Sequence, residues 1–224
     1  MMKKINLGGK NSERLFLESL SFFTGGNTLI KFTPTELACD MPGLINRHKA
    51  RYLLPTFLFK QKSKILDFPC GSGYASMLWK DFDIIYEGRD KDYYTIKYAN
   101  NIYNRCGNNQ FLADDLCNPK LKPKTYDVIV CVEGLEHIDK KSQKNLIMHF
   151  YNALKPKGTL YITTPEAHIS GQNKKNKYHI WELTALDFIT LLYSKFENIQ
   201  LLEHQDIVHT GDLTNWLYAF CKKE

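Results

Sequence analysis

The chain is expected to fold as an α/β, Rossmann-like doubly wound sheet of about seven strands with a helical N-terminal cap. Three observations point there. From Lys64 onward, short β-rich runs alternate with longer helical ones, the rhythm of strand–helix–strand units. One run, Tyr126–Val132 (YDVIVCV), is almost wholly apolar, as a central parallel strand buried on both faces must be. A glycine-bearing turn at 69–73 (PCGSG) follows the first run and leads into a helix, where such sheets bind ligands.

The elements follow in order. Lys64–Phe68 (KILDF) is the first strand and Tyr74–Lys80 opens a helix. Asp83–Glu87 (DIIYE) is the second strand, and Tyr93–Arg105 is a helix with Ile96, Ala99, Ile102 and Tyr103 near helical spacing. Gln110–Ala113 is a short third strand and Tyr126–Val132 the fourth. Gln143–Leu154 is a helix stopped by Pro156 and Gly158, and Thr159–Thr164 (TLYITT) is the fifth strand. The polar, lysine-bearing stretch from Pro165 to Tyr178 is a long loop, mobile or functional. Thr184–Ser194 is a helix with Thr184 as N-cap and Asp187 three residues on. Strands near Ile199–Glu203 and Trp216–Cys221 complete the sheet. Residues 1–60 break this rhythm. Ser12–Phe23 and Leu44–Lys60 read as helices, so 1–60 is expected to be a substrate-side cap on a ligand-binding domain at 61–224.

Composition bounds the class. The chain has 224 residues, 43% of them hydrophobic, with 13 Tyr and 13 Phe, enough for a core without disulfides or metal staples. Its six cysteines (Cys39, Cys70, Cys106, Cys117, Cys131, Cys221) are scattered with no Cys-x-x-Cys pair, which suits reduced thiols in the cytoplasm. Lys3 and Lys4 precede Asn6, Gly8, Gly9 and Asn11 rather than an apolar stretch, so no signal peptide is expected. No apolar run reaches the ~18 residues of a membrane span. The net charge of +6 suits an anionic substrate or ordinary solubility. Nothing interleaves aromatic and basic residues as single-strand binders do, which argues against nucleic acid.

The unusual residues fall at strand ends. Gly71 and Gly73 permit a tight turn and close approach of a ligand. Alone they are ambiguous, because the stretch is one small residue from the dinucleotide fingerprint and a nicotinamide or flavin oxidoreductase competes. Asp90, just past the second strand, can accept both hydroxyls of a ribose in either case. Asp114 and Asp115 follow the third strand, where a carboxylate can take an adenine amino group. Asp67 at the tip of the first strand suits a cationic sulfonium amino acid and would repel a pyrophosphate.

This set resembles the class I S-adenosylmethionine-dependent methyltransferases over Lys64 to Lys222. ILDFPCGSG is similar to the family's first motif, YEGRDKDYYTIKYA to its second, FLADD to its third, YDVIVCVEGLEHI to its fourth and LKPKGTLYITTP to its strand-five signature. Pro69 stands where the family usually has its first glycine. The resemblance implies S-adenosylmethionine as cofactor, held by Asp67, Pro69, Gly71, Gly73, Asp90, Asp114 and Asp115.

Methyl transfer is an in-line displacement, so positioning can supply most of the catalysis. A hydroxyl acceptor also needs its proton removed, and an amine needs to be neutral. Glu133, Glu136 and His137 are spaced i, i+3, i+4, which on one helical turn puts two carboxylates and an imidazole on one face, able to hold a divalent cation. With His179 in YHIWELT, the cluster resembles the small-RNA 3′-terminal 2′-O-methyltransferases and the ubiquinone-pathway O-methyltransferases. Those resemblances imply a metal (magnesium, manganese, iron or zinc) on Glu133, Glu136, His137 and His179, with Glu136, His137 and His179 catalytic. Without metal, His137 packs or acts as a base. His168 is a candidate for the substrate rim, and Lys174, Lys175 and Lys177 can meet an anion or simply face solvent.

Glu13-Arg14-Leu-Phe, HKARY at 48–52 and HIWELT together resemble small bacterial methyltransferases of surface-polysaccharide pathways. They imply O-methylation of a sugar or a small phosphorylated headgroup in glycan biosynthesis, with Arg47, Arg51 and Tyr52 contacting donor or acceptor. N-methylation of a small amine and 2′-O-methylation of an RNA 3′ end are the alternatives.

Overall fold

Strand pairing, not helical periodicity, governs the start of the chain. The structure, a computed structural model, describes residues 13–16, 21–24, 28–31, 41–104, 108–207 and 213–224. Within the stretch 12–23 expected to be a helix lie β1 (Glu13–Phe16) and the start of β2 (Ser21–Thr24); β3 (Thr28–Lys31) follows. These pair antiparallel in the order β1-β2-β3. The reason is readable afterwards: Phe22, Phe23 and Thr24 are strand formers, and Gly25-Gly26-Asn27 is a turn composition before the partner run TLIK. The second expected helix is there as α1 (Met41–Leu53), continued by a 3-10 turn over Leu54–Leu58. The Met1–Lys10 segment lies outside the described residues, as do the side chain of Cys39 and the stretch 105–107 with Cys106.

From residue 63 the predicted alternation holds. β4 (Ser63–Asp67), α2 (Ala75–Leu78), β5 (Ile84–Asp90), α3 (Tyr93–Tyr103), β6 (Asn109–Ala113) and β7 (Tyr126–Val132) come first. A 3-10 turn at Leu135–His137, α4 (Lys140–Ala153), β8 (Leu154–Pro165), α5 (Ala185–Tyr193), β9 (Asn198–Ile207) and β10 (Leu213–Lys222) follow. Seven strands form one sheet in the order β6-β5-β4-β7-β8-β10-β9. The first five in that order run parallel, and β10 is antiparallel to both neighbours. The order reverses between β4 and β7, the crevice where open α/β sheets bind ligands. Among the described residues no helix is long and apolar enough to cross a membrane.

Side-chain alternation fills the two faces. Leu66, Ile129, Cys131, Leu160 and Ile162 pack against Leu146, Ile147 and Phe150 of α4 and Phe188 and Leu192 of α5. Ile65, Val128, Val130 and Tyr161 pack on the other side with Tyr52 of α1, Trp79, and Ile96 and Ala99 of α3. Each helix thus shields one face of the apolar central strands, and burying a large apolar side chain is worth about 1.5–3 kcal/mol. Several boundaries differ from expectation, two of them by most of an element or by a bulge. Only Ala75–Leu78 of the predicted 74–80 helix is helical. Strand β8 begins at Leu154, because a register jump from Tyr126↔Leu154 to Val128↔Thr159 lets Lys155–Gly158 bulge out while pairing continues.

Candidate functional site

The turn after β4 is built by glycine and a compensating gap. Gly71 has φ +53 and faces open space, so a ligand can approach its backbone. Gly73 has φ +86, and a Cβ there would lie 2.7 Å from Phe111 and 2.9 Å from Ala99, so it serves helix–sheet packing. Pro69 follows a cis peptide bond from Phe68. Its ring fits because Gly134, across the crevice after β7, has no side chain: a Cβ there would sit 2.4 Å from Pro69 Cδ. Pro69 is thus accommodated by a glycine on the opposite wall. Gly134→Ala is expected to cost about 2 kcal/mol by overpacking, read as a fall in Tm of about 4–8 °C. An unchanged Tm would show that Pro69 yields freely.

The carboxylates sit at three adjacent strand ends. Asp67, fully buried at the end of β4, accepts a hydrogen bond from the Tyr86 hydroxyl at 2.7 Å. Its Oδ1 accepts no hydrogen bond of normal geometry among the described residues, although Tyr52 lies beside it. Burial, reinforced by the nearby Asp90 charge, pushes the Asp67 carboxyl well above the usual range. A cation placed there would relieve that cost. Asp90, buried at the end of β5, accepts from the Gly71 amide at 3.1 Å and from the Asp92 amide at 2.9 Å. One carboxylate therefore shapes the glycine turn and opens into the same crevice.

After β6 the two acids separate. Asp114 is taken up by Arg89 at 2.5 Å and by the amides of Asp115 and Lys120, so it organises the loop. Asp115 keeps a carboxylate 38% exposed, tied to Lys91 at 2.8 Å. Of the pair expected to reach an adenine, Asp115 is the more exposed. Arg89, which sequence reasoning passed over, also joins Glu87 and the Tyr126 hydroxyl in a buried network.

The acceptor-side cluster corrects one expectation. Glu133, Glu136 and His137 do not share a helical turn: Glu133 has φ +50, and only Leu135–His137 forms a 3-10 turn. Such a backbone conformation is strained for a side-chain-bearing residue. In that conformation Glu133 pairs with Arg51 of α1. Burial works to raise the Glu133 carboxyl, but Arg51, with His48, His137 and His179, holds it below the ordinary glutamate value. Glu136 is fully buried beneath and accepts from the Thr164 hydroxyl at 3.2 Å. Burial raises its pKa against the pull of His137 and His179.

His179 arrives from the long loop after β8. The Ile180 and Trp181 amides donate to the Glu136 carbonyl at 2.8 and 3.1 Å, and buried Gln143 donates to the carbonyls of Leu135 and Trp181. The His137 and His179 rings are thereby 5.1 Å apart, edge to face. His137 Nδ1 lies 2.9 Å from the Tyr178 carbonyl, an acceptor only, so Nδ1 donates and Nε2 carries the lone pair. His179 Nδ1 donates likewise to the Glu182 carboxylate. One ligand atom from each of Glu136, His137 and His179 lies within 4.8 Å of the others, a group that fits a divalent cation. Glu133 stands outside it. Beside it is a cavity of about 250 Å³ lined by His137, Lys177, Tyr178 and Ile180. His168, Lys174 and Lys175 are exposed.

Helix α1 supplies the remaining wall. His48, Arg51 and Tyr52 share a face by their i, i+3, i+4 spacing. His48 Nδ1 meets the Tyr74 hydroxyl at 3.2 Å, and Trp79 donates to the Tyr52 carbonyl at 2.8 Å. The Arg51 guanidinium lies 3.8 Å over the Trp216 ring. Tyr74 and Trp216 were missed by sequence reasoning; the position of Tyr74 directly after Gly73 was the available signal.

A family described as a methyltransferase domain matches residues 40–220. The phosphoethanolamine N-methyltransferase of Plasmodium falciparum is 27% identical over 160 residues, covering 68% of this chain and 57% of that protein. A phosphoethanolamine N-methyltransferase 2 of Haemonchus contortus, solved with S-adenosyl-L-methionine, is similar at a TM-score of 0.67 and 14% identity, over 79% of this chain and 52% of that one. A SAM-dependent methyltransferase of Methanosarcina mazei is similar at 0.64 and 16% identity, over 76% and 96%. The chain thus spans little more than half the length of the two phosphoethanolamine enzymes.

Proposed function

The chain belongs to the methyltransferase-domain family, and from that premise we propose that it methylates the amine of a small phosphorylated headgroup. When bound, S-adenosylmethionine supplies an electrophilic methyl group on a positively charged sulfur. Asp90 would hold the ribose hydroxyls, Asp115 the adenine amine and Asp67 the methionine ammonium, with Gly71 and Gly73 giving the close backbone approach. The family chemistry and the strand-end carboxylates support this donor over a nicotinamide. The observation that carries the amine acceptor is Glu133, kept ionised by Arg51 and facing His48 and His137. An ammonium headgroup is drawn to that carboxylate, and His137 Nε2 can take its proton so that a neutral amine attacks in line. Residues up to 60 act as the acceptor-side cap through α1. Cys70, Cys117, Cys131 and Cys221, none of them in a disulfide, accord with a cytoplasmic setting.

The test is label transfer from methyl-tritiated S-adenosylmethionine to phosphoethanolamine, ethanolamine and a panel of sugar phosphates. Label on the phosphoethanolamine nitrogen supports the reading; label confined to sugar hydroxyls overturns it.

A second reading, O-methylation of a glycan hydroxyl, is favoured by the convergence of Glu136, His137 and His179. Those three would hold a divalent metal, which acidifies a hydroxyl bound to it. Glu136→Ala is expected to leave S-adenosylhomocysteine affinity unchanged and to lower turnover by roughly tenfold or more. Turnover that survives both this change and a chelator would remove the metal.

A further inference from the structure

We infer that Lys177 takes the anionic group of the acceptor, in the cavity of about 250 Å³ that it lines with His137, Tyr178 and Ile180. Of the three lysines on the loop after β8, Lys174 and Lys175 do not line it. Among the described residues the lining carries one ammonium and no carboxylate, so an anion enters without meeting like charge. The volume is below the roughly 300–1,000 Å³ of pockets for drug-sized ligands, which suits an acceptor of few atoms. Among the described residues no carboxylate pairs with Lys177, whose ammonium instead lies 5.1 Å from the centre of the Tyr178 ring.

Short hydrogen-bonded turns hold this lysine at the cavity. Asn173 Oδ1 accepts from the Lys175 and Asn176 amides at 2.8 and 3.1 Å, and its Nδ2 donates to Glu182 at 2.8 Å. Asn176 Oδ1 accepts from the Tyr178 amide at 3.0 Å, and its carbonyl from the His179 amide at 3.0 Å. The backbone is thus tied on both sides of residue 177, so little of its freedom is lost when an anion binds. The same segment orients the proposed base, because the Tyr178 carbonyl engages His137 Nδ1. Anion anchor and base are therefore set by consecutive residues. An acceptor held by its anion at Lys177 brings its nucleophile to the imidazole within one cavity. That this nucleophile is an amine rests on the reading proposed above. The anion site does not, since a phosphorylated sugar presenting a hydroxyl would use it equally. What it recognises is a phosphate or carboxylate on a small acceptor.

The experiment titrates the full chain, with S-adenosylhomocysteine present, with inorganic phosphate and with acetate by calorimetry. It then measures methyl transfer to phosphoethanolamine and ethanolamine. The unmodified protein is expected to bind one of the anions, and Lys177→Gln to bind it roughly tenfold more weakly. The better probe identifies phosphate or carboxylate; if it is acetate, glycine replaces phosphoethanolamine in the kinetic arm. Lys177→Gln should raise KM for the anionic acceptor by a similar factor, leaving kcat, donor KM and KM for ethanolamine within about a factor of two. Lys177→Arg should keep the anion. Lys174→Gln, which removes the same charge from the same loop outside the cavity, should behave as the unmodified protein. Equal anion affinity in Lys177→Gln and Lys174→Gln overturns the inference, and so does failure of the unmodified protein to bind either anion. If an amine is methylated with no dependence on Lys177, this inference falls and the amine reading stands. If no amine is methylated yet anion affinity drops only in Lys177→Gln, the amine reading fails and the anion site stands.

Discussion

Asp90→Ala is expected to abolish calorimetrically detectable binding of S-adenosylhomocysteine. The side chain is 4% exposed at the end of β5, and its two oxygens already accept from the Gly71 and Asp92 amides. A carboxylate oxygen can accept more than one hydrogen bond, so the side chain proposed to hold the ribose could take its two neighbouring hydroxyls as well. A hydrogen bond to a charged group contributes about 1.5–3 kcal/mol, so losing two lowers affinity by roughly 10²–10⁴-fold. Alanine also leaves the Gly71 amide without its acceptor and loosens the turn that carries φ +53. The variant acts on ligand and turn together. Asp90→Asn separates the two, since one amide oxygen still accepts from a backbone N–H; it should retain the fold and lose most affinity. Asp139→Ala is the control. Asp139 caps α4 through the Lys141 and Ser142 amides far along the chain from the cradle, so its loss costs about 1 kcal/mol of stability and leaves affinity intact. Full affinity in Asp90→Ala would overturn the assignment of the cradle.

What could be read from the sequence follows from how local each cause is. Strand β7 announced itself because a doubly buried strand must be nearly all apolar, as Tyr126–Val132 is. The positions of the acids at 67 and 90 were legible because they end predicted strands. Asp114 was not separable from Asp115, since what distinguishes them is Arg89, two residues after Glu87 on a neighbouring strand. Glu133 was misplaced for a similar reason. The i, i+3, i+4 spacing assumes helical backbone, whereas Glu133 has φ +50 and pairs with Arg51, 82 positions earlier. The strands β1 to β3 failed differently: within Ser12–Phe23 the two ends of the window pair with each other as strands, which a single helical reading of the whole window overlooks. The meeting of His137 and His179 lay between these cases. Both residues were singled out, but the contact depends on backbone bonds from 180 and 181 to the Glu136 carbonyl.

His137→Ala is expected to lower kcat by roughly 10²–10⁴-fold while leaving S-adenosylhomocysteine affinity within about a factor of two. The imidazole is held by its Nδ1 hydrogen bond to the Tyr178 carbonyl, which fixes Nε2 as the basic nitrogen, 4.0 Å from Glu136 Oε1. Buried Glu136 beneath it stabilises the imidazolium that forms when Nε2 accepts a proton, so the base and its counter-charge come from adjacent residues. The carboxylates proposed for the cofactor lie on β4, β5 and the loop after β6 rather than on this turn, which is why donor affinity should not move. Two further readouts separate a base from a packing residue. His137→Gln keeps much of the volume but has no basic nitrogen, and should be as slow as alanine. Free imidazole added to His137→Ala can enter the cavity of about 250 Å³ that His137 lines, and should restore part of kcat without changing KM for the donor. A fast His137→Ala enzyme would mean that the amine reaches the site already neutral. In that case positioning alone, which can supply about 7–11 kcal/mol of barrier reduction, would account for the rate, with Glu133 holding the acceptor in line.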